Sequence, residues 1–224
     1  MRATGFAVVC TALLLLGGCS GEEKPAAPAD AAQLASAAGA GTQKARSSKI
    51  ALETTAEDGR KVVVTSSGLY EGANSKFSMV AEVAGEKRDL IFADGVLYYH
   101  LSDAQVRELK TDKEWVKITA DGKDALSAAN GALMTDVVEK MDPTRTIERI
   151  SKSGKVTKSD QADLNGTATT HYVLDLGGAP AEVWLDGDQR PVQVTMDKVT
   201  VKYDSWASDV VIIAPPPEAV GDSR

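Results

Sequence analysis

Apolar side chains recur at every second position through the last third of the chain: Tyr172, Leu174 and Leu176; Val183 and Leu185; Val192, Val194 and Met196; Val199, Val201 and Tyr203. A period of two buries one face of a strand and leaves the other in water. Asn165-Gly166, Gly177-Gly178 and Asp186-Gly187 separate these runs. Such pairs favour tight loops with positive φ, whose twist matches that of paired strands. The stretch from Leu164 to Trp206 therefore predicts an antiparallel meander with one oily face.

The first half of the chain repeats the theme. Strands are predicted over Ser47 to Thr55 and Arg60 to Tyr70, around a Glu57-Asp58-Gly59 turn. Others follow over Lys76 to Val83, Lys87 to Ala93, Val96 to Leu101 and Glu114 to Thr119. Ser102 to Lys110 reads as a short helix or a loop with Ser102 as its cap. Between the two meanders the period changes. Leu126, Leu133, Met134, Val137, Val138 and Met141 fall at helical spacing, so Asp124 to Met141 predicts an amphipathic helix. Asp142-Pro143 ends it, because the residue before proline avoids the α region. Thr144 to Lys152 predicts a second helix, and Lys155 to Asp163 a polar edge strand. Ala31 to Ala45 is an alanine-rich helix with Asp30 as N-cap, weakened near Gly39-Ala40-Gly41. Val210 to Ile213 reads as a final strand before Pro215-Pro216-Pro217.

Two meanders around helices, with no linker between them, predict an α+β fold with one large antiparallel sheet of about ten to eleven strands. Twist accumulates across so wide a sheet, so it should curl into a trough. The helices are the apolar elements available to cover its concave face. The single domain is expected over residues 31–217, with a polar tail over 218–224.

The ends of the chain carry different information. Arg2, then the uncharged run Phe6 to Leu16, then small residues, has the layout of a signal peptide over residues 1–18. Leu16-Gly17-Gly18-Cys19 resembles the bacterial lipobox, whose cysteine is acylated and becomes the new N-terminus. Cys10 would then be discarded and Cys19 would carry the lipid. Two acyl chains hold a protein on a bilayer where one does not. The anchor would sit on the outer face of the cytoplasmic membrane. Residues 19–30, rich in Ser, Gly, Glu, Pro and Ala, read as a flexible tether.

Net charge is −7. Loss of Arg2 from the 25 basic residues, against 32 acidic ones, makes it −8. That balance argues against nucleic acid, whose phosphates demand a basic face, and against a polybasic grip on anionic lipid. The sequence lacks a G-x-S-x-G elbow, an S-x-x-K motif, an H-E-x-x-H motif and a zinc-spaced Cys/His set. The expectation is a non-enzyme without cofactor or metal. His171 alternates with Tyr172 and should point outward into solvent; His100 lies at a strand end.

What stands out is the amount of oily surface. On the sheet, the inward set is Phe77, Met79, Val83, Phe92, Tyr98, Tyr172, Leu174, Val183, Leu185, Val194 and Met196. The helix opposes it with Leu133, Met134, Val137 and Val138. These residues either fill a core or line a cavity for a lipid-like ligand, and methionines on both sides would suit a floppy apolar guest.

Four local patterns point further: Lys113-Glu114-Trp115-Val116-Lys117-Ile118, Leu164 to Tyr172, Ala181-Glu182-Val183-Trp184-Leu185-Asp186, and Val201 to Trp206 leading to Ala214-Pro215-Pro216. Their order, behind a lipobox and tether, resembles the LppX/LprA/LprF/LprG lipoproteins of actinobacteria, relatives of the LolA and LolB lipoprotein carriers. The resemblance implies an incomplete β-barrel wrapped on helices, with a cavity for acyl chains, and a role in lipid binding or transport in the cell envelope. The rival expectation is a structural or signalling lipoprotein with a filled core, acting through an unidentified protein partner. Cys19→Ser is expected to release the protein from isolated membranes; retention in the membrane fraction would contradict acylation at that residue.

Overall fold

The computed structural model describes residues 28–55, 59–83, 85–123, 127–128 and 138–222. Among these residues, twelve strands form one open, curved sheet. The first meander is β1 (Ser47–Thr55), β2 (Lys61–Leu69), β3 (Lys76–Val83), β4 (Glu86–Ala93), β5 (Val96–His100) and β6 (Trp115–Ile118). The second is β7 (Lys155–Leu164), β8 (Thr167–Asp175), β9 (Pro180–Leu185), β10 (Pro191–Met196) and β11 (Val199–Asp204). β1 and β11 pair antiparallel and join the two into a single surface. β12 (Val220–Asp222), within the segment expected as a polar tail, pairs parallel with β6 and forms one edge.

The other edge is β7, whose Lys155, Lys158, Asp160 and Asp163 suit an edge that must not recruit a further strand. The sheet therefore does not close, and the α+β half-barrel is the observed architecture. Both neighbours of β11 are already in place, so the chain that follows has no free ladder beside it. Val210 to Ile213 accordingly forms no strand; Ile212 is buried, while Val211 and Ile213 are 81% and 73% exposed.

Three helices complete the described fold: α1 (Ala31–Ala45), α2 (Asp103–Leu109) and α3 (Pro143–Ser153). Asp30 caps α1, its side chain accepting from the Gln33 N–H at 2.8 Å. Ala31, Leu34, Ala38 and Thr42 form its buried stripe. The glycines expected to weaken α1 do not break it, because they lie where it touches neighbours. A Cβ on Gly41 would sit 2.7 Å from the Gln189 carbonyl oxygen, whereas one on Gly39 would meet Thr144 Cγ2 at 3.6 Å. α1 packs along α3, which begins at Pro143 with Asp142 as cap. Residues 127–128 and 138–141 are helical, in the segment where the amphipathic helix was expected. Among the described residues no helix is long and apolar enough to cross a membrane.

One turn differs from expectation. Asp186-Gly187 does not make a two-residue loop. The Asp186 carboxylate accepts from the Asp188 and Arg190 N–H groups, both at 2.9 Å, and Gln189 takes the left-handed conformation at φ 62°. The aspartate side chain organises a longer loop, as Asp readily does in turns. Gly41→Ala is expected to destabilise the domain by about 1–3 kcal/mol, as overpacking does. Gly39→Ala should be neutral, or stabilising by up to about 1 kcal/mol from helix propensity. Urea denaturation checks the pair, and equal effects at the two sites would contradict this packing.

Candidate functional site

Cross-strand register lays the inward residues in rows. Val64, Leu52, Val201, Val194, Val183 and Tyr172 are successive partners from β2 to β8. Phe77, Phe92, Leu97 and Ile118 run from β3 to β6, and Met79, Leu90 and Tyr99 lie beside them. The concave face is thus apolar across the width of the sheet.

It is not covered evenly. Over β8 to β10, Tyr172, Leu174, Val183, Leu185 and Val194 are all but fully buried, in one cluster with Leu34 and Ala38 of α1 and Ile147 and Ile150 of α3. Over β2 to β5, Phe77, Met79 and Phe92 are buried, while Val62, Ala81, Leu90 and Tyr99 are only half-buried. Met196 is also half-buried, beside Val199 on the same margin. Val138 is buried in the same cluster, next to Met141. Val83 is placed by its backbone pairing with Val62 and Glu86. Leu133, Met134 and Val137 lie outside the described residues, as does Cys19.

Tyr98 is a correction. It pairs with Ile91 and Lys117 on the opposite face, and Leu97 and Tyr99 take the inward positions. The strand reads Val-Leu-Tyr-Tyr-His, so its composition does not alternate. The signal was the turn: Asp94-Gly95 closes a two-residue loop that pairs Ala93 with Val96, and hence Phe92 with Leu97.

A polar cluster pins the helical end of the trough to the sheet. The Tyr70 and Ser48 hydroxyls are 2.6 Å apart, and the Tyr203 hydroxyl donates to the Lys140 carbonyl at 3.4 Å. Burial pushes the pKa of both tyrosines up. Asp142 is only 3% exposed and accepts from the Thr144 N–H at 3.0 Å. Burial raises its carboxyl above the ordinary value, against the opposing pull of the backbone donors and Arg145. Sequence periodicity gives no hint of this cluster, because its members come from different elements.

At the rim of the trough stands a charge. Arg88 pairs across the sheet with Ala81 and so shares the concave face with Leu90. Its guanidinium donates to Glu86 and, at 2.9 Å, to the Lys87 carbonyl. The Tyr99 phenol beside it, and after that Glu86, push its pKa up. Gln105 of α2 donates to the Tyr99 hydroxyl at 3.2 Å. Gln105 is itself fixed by the capping box it forms with Ser102.

The convex face mixes charged and polar residues with aromatic ones such as Tyr98 and Trp184. His171 points outward as expected, yet it is not freely solvated. Its side chain is 15% exposed, stacked on Trp184 at 4.4 Å and held between Asp160 at 3.3 Å and Glu182 at 3.1 Å. His100 packs edge-on against Trp115 at 4.7 Å. A groove of about 470 Å³ opens between the β7–β8 turn, the β9–β10 loop and the end of β11. Its Arg190 is neutralised by Asp186 at 2.8 Å and Asp188 at 3.1 Å. Its wall is mixed, with Asn165, Gln193 and Asp204 beside Leu164, Val192 and Trp206. Among the described residues no group of three or more His, Cys, Asp or Glu is placed to hold a metal ion.

No family model matches the chain, and no curated protein matches its sequence. Its fold is similar to a chain in the complex of Pseudomonas aeruginosa MucA/MucB, at 11% identity and TM-score 0.44, covering 84% of this chain and 59% of that one. This chain thus spans less than two thirds of that protein. It is also similar to an uncharacterized conserved protein from Thermus thermophilus, at 10% identity and TM-score 0.44, covering 86% and 98%. These are likenesses of fold.

Asp142 generates a pH dependence. Its folded pKa lies above that of the unfolded chain, so the folded form holds the proton more tightly. The stability this contributes is complete below the unfolded value, about 4, and is lost as pH rises through the folded value. Asp142→Asn keeps a capping side chain and removes the titration. Urea denaturation across acid to neutral pH should show wild type losing stability relative to the variant as pH rises. A constant difference would contradict the raised carboxyl.

Proposed function

We propose that the chain is a lipid-binding lipoprotein, tethered through Cys19 to the outer face of the cytoplasmic membrane, that takes up acyl chains on its concave face. The observation that carries this reading is the uneven cover of that face. α1 and α3 seal it over β8 to β10, while an apolar strip through Val62, Ala81, Leu90 and Tyr99 remains half-exposed over β2 to β5. A tail laid on that strip leaves one apolar environment for another, so the exchange with the bilayer is close to balanced; measured against water, each buried methylene contributes about 0.8 kcal/mol. The binding is passive and needs no catalytic group. The sealed part supplies rigidity and the half-covered part supplies the site. A role in lipid transport or chaperoning in the envelope follows from an anchored protein that can shield tails from water.

The fully buried half favours a second reading, in which the fold is a tethered scaffold that acts through protein contacts. The two are separated by lipid extraction and native mass spectrometry of the purified full chain, incubated with diacyl phospholipid vesicles. Bound lipid is the expected result, and its absence would leave the scaffold reading. Leu90→Trp should reduce the lipid retained while keeping the domain folded, because its site is half-open. Val194→Trp, in the sealed half, should instead destabilise the fold by about 1–3 kcal/mol. A Leu90→Trp protein that binds as well as wild type would place the tails elsewhere.

A further inference from the structure

Resting on that reading, we propose that Arg88 and Tyr99 form a headgroup subsite at the rim of the trough, and that the lipid taken is an anionic, phosphate-bearing diacyl lipid. The juxtaposition is amphipathic in the same sense as the guest. Leu90 and Ala81 lie on the concave face, and Arg88 precedes Leu90 along β4 by two residues on that face, about 7 Å away at the rise of a strand. An apolar lane that ends in a guanidinium matches a lipid whose tails end in a phosphate.

The donors are available. Arginine carries five N–H donors, and in this structure Arg88 directs Nη2 to Glu86 and Nη1 to the Lys87 carbonyl. Glu86 is 70% exposed, so the pair lies in water, where such ion pairs add little. A phosphate can displace that carboxylate and accept two parallel N–H bonds, the geometry that guanidinium favours. The Tyr99 hydroxyl adds a second polar group beside the guanidinium, held from behind by Gln105 and the α2 capping box. The rest of the chain gives no general attraction for anionic lipid, since its net charge is −7. Selectivity for an anionic headgroup would therefore have to arise locally.

The test uses the full chain and vesicles of equal parts phosphatidylglycerol and phosphatidylcholine with matched tails, read by mass spectrometry of the lipid retained. Wild type should enrich phosphatidylglycerol roughly tenfold: both lipids offer a phosphate to the guanidinium, but only phosphatidylcholine brings a second cation beside it, and that like-charge repulsion offsets the contact. Arg88→Gln should lose that enrichment; Arg88→Lys should keep part of it. Glycerol phosphate, the head without tails, should not displace bound lipid. Equal retention of the two lipids by wild type, or enrichment unchanged in Arg88→Gln, would overturn the subsite. Displacement by glycerol phosphate would make Arg88 a site for free phosphate and overturn the lipid assignment. No retained lipid of either kind would overturn the lipid-binding reading itself, and the subsite with it.

Discussion

A sheet with one apolar face must cover that face or expose it to water, and everything else in this fold answers to that constraint. Among the described residues, the apolar face of the twelve-stranded sheet is buried over β8 to β10 and only half-buried at Val62, Ala81, Leu90 and Tyr99. α1 and α3 pack together, and Leu34, Ile147 and Ile150 share one buried cluster with Tyr172, Leu174 and Val183. The glycines of α1 permit this by close approach: Gly41 has no room for a side chain against the β9–β10 loop. That loop is in turn shaped by Asp186, whose carboxylate gathers its backbone donors. A chain of local choices thus fixes which part of the face is sealed. The remainder is bounded by Val62, Ala81, Leu90 and Tyr99.

Much of this was legible in the sequence, for a physical reason. Strands of period two between Asn-Gly or Asp-Gly turns leave few registers that bury the right face. The start of α1 followed from its cap at Asp30, and the polar composition of β7 marked it as an edge. Legibility failed where alternation failed. Tyr98 and Tyr99 are adjacent tyrosines, and only the register set by the Asp94-Gly95 turn says which one faces inward. Val210 to Ile213 is apolar enough for a strand, but a strand also needs a free neighbour, and that is a property of the whole sheet.

On the concave face, the inward position of the apolar residues was legible and that of the polar ones was not. Arg88 lies on the concave face by the same period that places Leu90 and Phe92 there, yet a charged residue in an otherwise oily register reads as solvent-facing. Its setting appears once β5 and α2 bring Tyr99 and Gln105 to the same margin. Asp142 is similar. As the residue before Pro143 it marks a helix boundary, but its burial against Tyr70 and Tyr203 depends on contacts distant in sequence.

The central claim is that the concave face is filled at one end and receives an alkyl tail at the other. Methyl NMR of the full chain with a doxyl-labelled stearoyl phospholipid reads it directly, since a spin label broadens the methyl groups it approaches. Broadening at Val62, Met79 and Leu90, with Leu174, Val183 and Leu185 left sharp, is the expected result. Uniform sharpness, or broadening confined to the convex face, would contradict it.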